Sequence, residues 1–138
     1  MQTINTQTKE ILTKSLLSYY ETLSEGDLKK LASLMTKESY LTLLNALGFK
    51  RSFKDKTFQQ TIEKSGEDSA SLEIVEAVLS SDLAKKEERH EIALVSFEAK
   101  GSQRVTVHYS EDGHSKKIYF SAASGTWKID YNAGRKVA

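Results

Sequence analysis

The chain of 138 residues contains no cysteine, no proline and only seven glycines. Without cysteine there are no disulfides, no thiolate metal ligands and no cysteine nucleophile, so packing alone must hold the fold together. The missing proline leaves every strand free to pair along its length. Charge of one sign is also lacking: 20 Lys+Arg stand against 19 Asp+Glu, a formal net charge of +1. The balance holds locally, with ten basic and nine acidic residues up to Ser69 and ten of each beyond it. Neither half has the basic excess that polyanion binding requires, and nucleic acid is not an expected partner. Apolar runs last a few residues, far short of the roughly 18 that suggest a membrane span. The opening stretch, MQTINTQTKEIL, has no basic segment followed by an apolar run, as a secretory leader would. The expectation is a cytoplasmic, single-domain protein covering residues 1–138, with no membrane partner.

What is present is first a helical period. Leu12, Leu16, Tyr19 and Leu23 recur at spacings of four, three and four, which predicts a helix over residues 8–24. Gly26 suits the left-handed position that ends a helix, and Asp27 can cap a second one carrying Leu28, Leu31, Leu34 and Met35. A third helix, residues 37–47, turns Tyr40, Leu43, Leu44 and Leu47 inward and stops at Gly48. A fourth is expected over residues 55–64. Beyond the polar run 65–69 the spacing reads as alternating, which predicts a sheet. Strands are expected at 71–80 and 90–99, both with apolar residues on two faces and so both central. A third spans 104–110, where Val105, Val107 and Tyr109 alternate with Arg104, Thr106 and His108. Asp112-Gly113 marks a tight hairpin leading into Ile118, Phe120 and Ala122. A last strand carries Trp127, Ile129 and Tyr131 on one face. The overall class is α+β.

The segment from Tyr19-Tyr20-Glu21 through Gly26-Asp27-Leu28, followed by Leu31 and Leu34, resembles the opening helix pair of the nuclear transport factor two-like, or cystatin-like, superfamily. The closing Gly125-Thr126-Trp127-Lys128-Ile129 is similar to the ending of many members. This resemblance implies N-terminal helices packed in the concave face of a curved, mainly antiparallel sheet: a cone-shaped α+β barrel with a pocket between helix and sheet. It also implies frequent assembly into homodimers through the outer sheet face, and because the strand at 90–99 is apolar on both faces while the helices need only one, a homodimer covering the other is expected.

Within that resemblance, Tyr19 matches the tyrosine with which ketosteroid isomerases hold an enolate oxygen. The aspartate base they require falls at Leu43, and no aspartate lies between Asp27 and Asp55. A hydrogen-bond donor without its proton acceptor forfeits about 10²–10⁴-fold of general base catalysis. The expected function is therefore non-catalytic binding of a small apolar or aromatic ligand in a pocket lined by Tyr19, Tyr40, Phe97 and Trp127. The competing reading is an isomerase, dehydratase or polyketide-cyclase-like enzyme. A dehydratase-type dyad would need a histidine facing Asp130 or another carboxylate inside the pocket. No catalytic residue is assigned. His90, His108 and His114 are scattered, so no metal or other cofactor is expected. Residues 49–58 interleave Phe49, Phe53 and Phe58 with Lys50, Arg51, Lys54 and Lys56. That mixture suits a single-strand nucleic-acid platform, but phenylalanines pinning a loop to the core are the preferred reading.

Overall fold

The computed structural model describes residues 4–86, 90–101, 103–122 and 125–134. It is α+β: among the described residues, six helices precede a four-stranded antiparallel sheet of order β1-β2-β3-β4 that does not close. Each early helix begins where a side chain supplies an acceptor for its orphan backbone donors. Asn5 accepts from the Thr8 N–H at 2.7 Å to start α1 (Thr6–Glu25), and Asp27 accepts from Lys30 at 3.2 Å to start α2 (Leu28–Ser33). Thr36 caps α3 (Lys37–Leu47). A short α4 (Phe49–Lys54), absent from the sequence reading, runs to Asp55, which caps α5 (Lys56–Lys64).

The largest correction concerns residues 71–80. They are not a central strand but the middle of α6 (Ser69–Lys86). Asp68 caps it, accepting from the Ala70 N–H at 3.1 Å and the Ser71 hydroxyl at 2.8 Å. Apolar residues at 72, 74, 75, 77, 78 and 79 satisfy a period of two and a period of 3.6 equally well, and length is the arbiter. No turn signal interrupts the run up to residue 86, which is too long for one ordinary strand. The buried positions Ser71, Val75, Glu76 and Leu79 recur at helical spacing, while Ile74 faces outward. Gly26, at φ +76°, lets the corner between α1 and α2 press against α6: a Cβ there would stand 2.6 Å from the Ser80 carbonyl oxygen.

The sheet consists of β1 (Ile92–Ala99), β2 (Arg104–Glu111), β3 (His114–Ser121) and β4 (Lys128–Ile129). Asp112 (φ +52°) and Gly113 (φ +84°) form the expected tight turn between β2 and β3. The strand expected at 90–99 is an edge, not a centre. Its register shifts between Leu94, opposite Tyr109, and Ser96, opposite His108, so Val95 is an extra residue bulged to 71% exposure. The bulge changes the phase, and Phe97 joins Ile92 and Leu94 on the core side. The opposite face carries Ser96, Glu98, Thr106, His108, Lys117 and Tyr119, so it is more polar than the two-sided apolar pattern had implied. The last strand is two residues long because the chain turns into a 3-10 helix at Tyr131–Gly134. Its free edge is taken by residues 34–36: the Ile129 N–H donates to the Leu34 carbonyl at 2.8 Å, and the Thr36 N–H to the Ile129 carbonyl at 2.9 Å. Val105, Val107, Ile118, Phe120 and Ile129 form the buried sheet side of the core, packed with Leu12 and Leu16 of α1. Residues 87–89 of the mixed-charge connection, with Ser102 and Ser124 of two expected turns, lie outside the described residues.

Candidate functional site

A cleft of about 340 Å³ opens where α1, α3 and α6 meet the β2–β3 hairpin. Leu23, Leu43, Leu47 and Leu83 contribute an apolar wall, and Tyr19, Tyr20, His90, Glu111 and Lys116 contribute the polar one. Both tyrosines come from the last turns of α1, with their rings perpendicular and 5.2 Å apart. Successive helix residues diverge by about 100°, so the two phenols reach different partners.

The Tyr19 hydroxyl meets that of Tyr131 at 3.0 Å. Tyr131 is held in place because its N–H donates to the buried Ser39 hydroxyl at 2.9 Å, and Ser39 in turn accepts from Thr36 at 2.7 Å. The Tyr20 hydroxyl lies 2.6 Å from that of Tyr109 on β2, a pair in which either oxygen can donate, and the Glu111 carboxylate lines the same cleft. Burial is the main cause that holds both Tyr19 and Tyr20 well above the ordinary phenol range; Tyr131 adds to it for Tyr19, and Glu111 and Tyr109 for Tyr20. At neutral pH these hydroxyls are hydrogen-bonding groups, not phenolate bases.

Glu111 also receives the Lys116 ammonium at 3.5 Å and faces His90 Nδ1 at 3.8 Å. His90 Nδ1 lies 2.7 Å from Asp112, whose other oxygen accepts from the Glu91 N–H at 2.8 Å. The His90 hydrogen bond, followed by that from Glu91, holds the Asp112 carboxyl below its usual range. His90, Glu111 and Asp112 place ligating atoms within 4.8 Å of one another. A cation there would have to displace Lys116 from Glu111 and break the His90–Asp112 pair, so the cluster is already balanced by protein groups.

Of the four residues expected to line a pocket, the structure places Tyr19 in this cleft. Tyr40, Phe97 and Trp127 do not line it. Tyr40 directs its hydroxyl to the buried carboxylate of Glu76 on α6, and Phe97 packs on the core with the Lys9 ammonium 5.8 Å from its ring centre. Leu43, at the position where the isomerase resemblance puts an aspartate, does face the cleft. Sequence reasoning missed Tyr20 and Glu111. Glu111 was within reach, because extending the alternation Val105, Val107, Tyr109 by two residues brings it to the inner face. Of the other histidines, His108 pairs across the outer sheet face with Glu98 at 3.1 Å, and His114 is exposed in the hairpin. Comparison with models of protein families, with curated proteins and with solved structures finds no match.

Proposed function

We propose that the protein binds a small amphipathic molecule, an aromatic or apolar body carrying one polar group, in the cleft beside Tyr19 and Tyr20. The observation that carries this reading is the division of one cavity into a leucine wall and a wall where Tyr20, Glu111 and Lys116 converge. Clefts of this size with few, grouped polar atoms are the usual form of ligand sites. The helices of α1 and α3 over one face of an antiparallel meander also support a nuclear transport factor two-like reading of the chain, although α6 stands where the sequence reading put a strand. The proposal does not extend to a homodimer, because the outer sheet face is polar.

A second reading, proton transfer by an isomerase- or dehydratase-like enzyme, is favoured by one observation: a histidine and a carboxylate line the same cleft as Tyr19. Leu43 occupies the position of the missing aspartate, so Glu111 would have to serve as the acceptor. One experiment addresses both readings. Indole, phenol and 1-anilinonaphthalene-8-sulfonate are titrated against the protein, and backbone NMR shifts are followed. Binding at the cleft moves Tyr19, Leu43, Leu83 and Glu111 together. Shifts confined to other surfaces would refute the site. Glu111→Gln is then expected to weaken binding of a hydroxyl-bearing probe about tenfold, roughly the loss of one hydrogen bond to a charged group. Turnover of any bound carbonyl compound by the parent protein, abolished in Glu111→Gln with affinity retained, would replace the binding reading by the enzymatic one.

A further inference from the structure

The aromatic and basic segment after Gly48 behaves differently from its expected role as a core anchor. Of its three phenylalanines only Phe58 is buried, while Phe49 and Phe53 are 62% and 78% exposed. The two exposed rings stack edge to face on α4, with centres 5.0 Å apart and planes at 83°. Helix geometry explains the exposure. Arg51 sits on the opposite side of α4 and ties that side to the protein body, through a bidentate pair with Asp82 at 2.9 Å and over the Phe58 ring at 5.8 Å. Residues two before and two after Arg51 are about 160° away from it around the helix, so its anchoring turns Phe49 and Phe53 outward. Lys50 and Lys54 form the next row around the helix, and Lys56 follows at the start of α5. No ion pair of the described residues engages any of the three.

We propose that α4 is a peripheral docking surface for an anionic lipid bilayer, with Phe49 and Phe53 inserted among the headgroups and Lys50, Lys54 and Lys56 set against the surface charge. Two features select this occupant. Residues 49–56 hold four basic residues against one acidic residue in a chain whose overall net charge is +1, and with Arg51 paired to Asp82 it is Lys50, Lys54 and Lys56 that carry the local positive charge. The acidic one, Asp55, is engaged in capping α5. Exposed rings beside unpaired ammonium groups are what an interfacial helix presents to anionic lipid. A single-strand nucleic-acid platform would offer ring faces for parallel stacking, whereas here one ring's edge covers the face of its neighbour. The groove that Phe49, Phe53 and Lys56 line together with Asn45, Gln59, Ile62 and Glu63 includes an acidic side chain, so anionic headgroups are expected toward Lys50 and Lys54. The contact is peripheral, and no helix among the described residues is long and apolar enough to cross a membrane.

The test is flotation of the intact chain with phosphatidylcholine vesicles, with and without phosphatidylserine, at low and high salt. Binding is expected only with phosphatidylserine and is lost in high salt. Phe49→Ser with Phe53→Ser should lower partitioning at least tenfold. Neutralising Lys50, Lys54 and Lys56 to glutamine should lower it by on the order of a hundredfold, from about fivefold per lysine. These side chains lie outside the core, so the melting temperature of each variant should match the parent's, and a matched melt separates lost docking from lost folding. No binding to phosphatidylserine vesicles overturns the proposal. So does binding that survives the serine double variant, or equal binding to both vesicle types. Association with a single-stranded oligonucleotide or an acidic peptide in preference to vesicles would assign the surface to that partner instead.

Discussion

Removing one oxygen atom from Tyr40 tests how the helical layer is tied together. In Tyr40→Phe the ring stays in the core between α3 and α6, so no cavity opens, and the change is confined to the hydroxyl that donates to Glu76. Glu76 is buried, at 9% exposure, and Tyr40 is its hydrogen-bond donor. Deleting that donor strands a charged acceptor, which costs about 2–3 kcal/mol and not the roughly 1 kcal/mol of a solvated hydrogen bond. The lower half of that range is expected, because Glu76 also borders a surface groove beside Gly26 and its second oxygen can meet water. For a chain of this length each kcal/mol moves the melting temperature by about 3 °C, so the variant should melt about 6–7 °C below the parent. Calorimetry or circular dichroism at neutral pH gives this value directly. Glu76→Gln in the Tyr40→Phe background should recover much of the loss, since an amide is cheaper to leave unpaired than a carboxylate. A melting temperature within a degree of the parent's, or a deficit unchanged by Glu76→Gln, would refute the reasoning.

Gly26→Ala should destabilise by clearly more than the roughly 1 kcal/mol of an ordinary glycine replacement. The residue is held at positive φ and its Cβ would meet the Ser80 carbonyl at 2.6 Å; urea unfolding measures the loss, and a change below 1 kcal/mol would show that the corner can relax. His90→Ala removes the main cause of the lowered Asp112 carboxyl, so NMR titration should find that group moved back toward its ordinary 3.8. In the parent, the folded value lies below the unfolded one. The His90–Asp112 contribution is therefore present above the unfolded value and is lost as pH falls through the folded one, so stability should fall less steeply with acid in His90→Ala than in the parent. A titration of Asp112 unchanged by His90→Ala would exclude the pairing.

The residues by themselves determined the parts of this protein that depend on local chemistry. Thr36 and the stripe Tyr40, Leu43, Leu44 and Leu47 bound the third helix at residues 37–47, as observed, because a capping hydroxyl and a 3.6-residue period act within one turn of chain. Asp112-Gly113 specified its hairpin for the same reason, since both positions need positive φ. Legibility failed where two periods fit the same letters. Residues 72–79 taken alone read equally as a two-sided strand or a buried helix; the length of the run to residue 86 favours the helix, and the surfaces that α1, α3 and α5 offer to α6 decide which of its sides is buried. At the site, Tyr19 was legible through its place on the inner stripe, whereas Tyr20 and His90 were not. Their roles depend on the bulge at Val95 and on the hairpin that brings Glu111 and Lys116 to the end of α1, contacts separated by about ninety residues of chain. Exposure of Phe49 and Phe53 was likewise a tertiary outcome. Which side of a six-residue helix faces water is set by the Arg51–Asp82 pair, and no local pattern of aromatics and lysines records a partner thirty-one residues away.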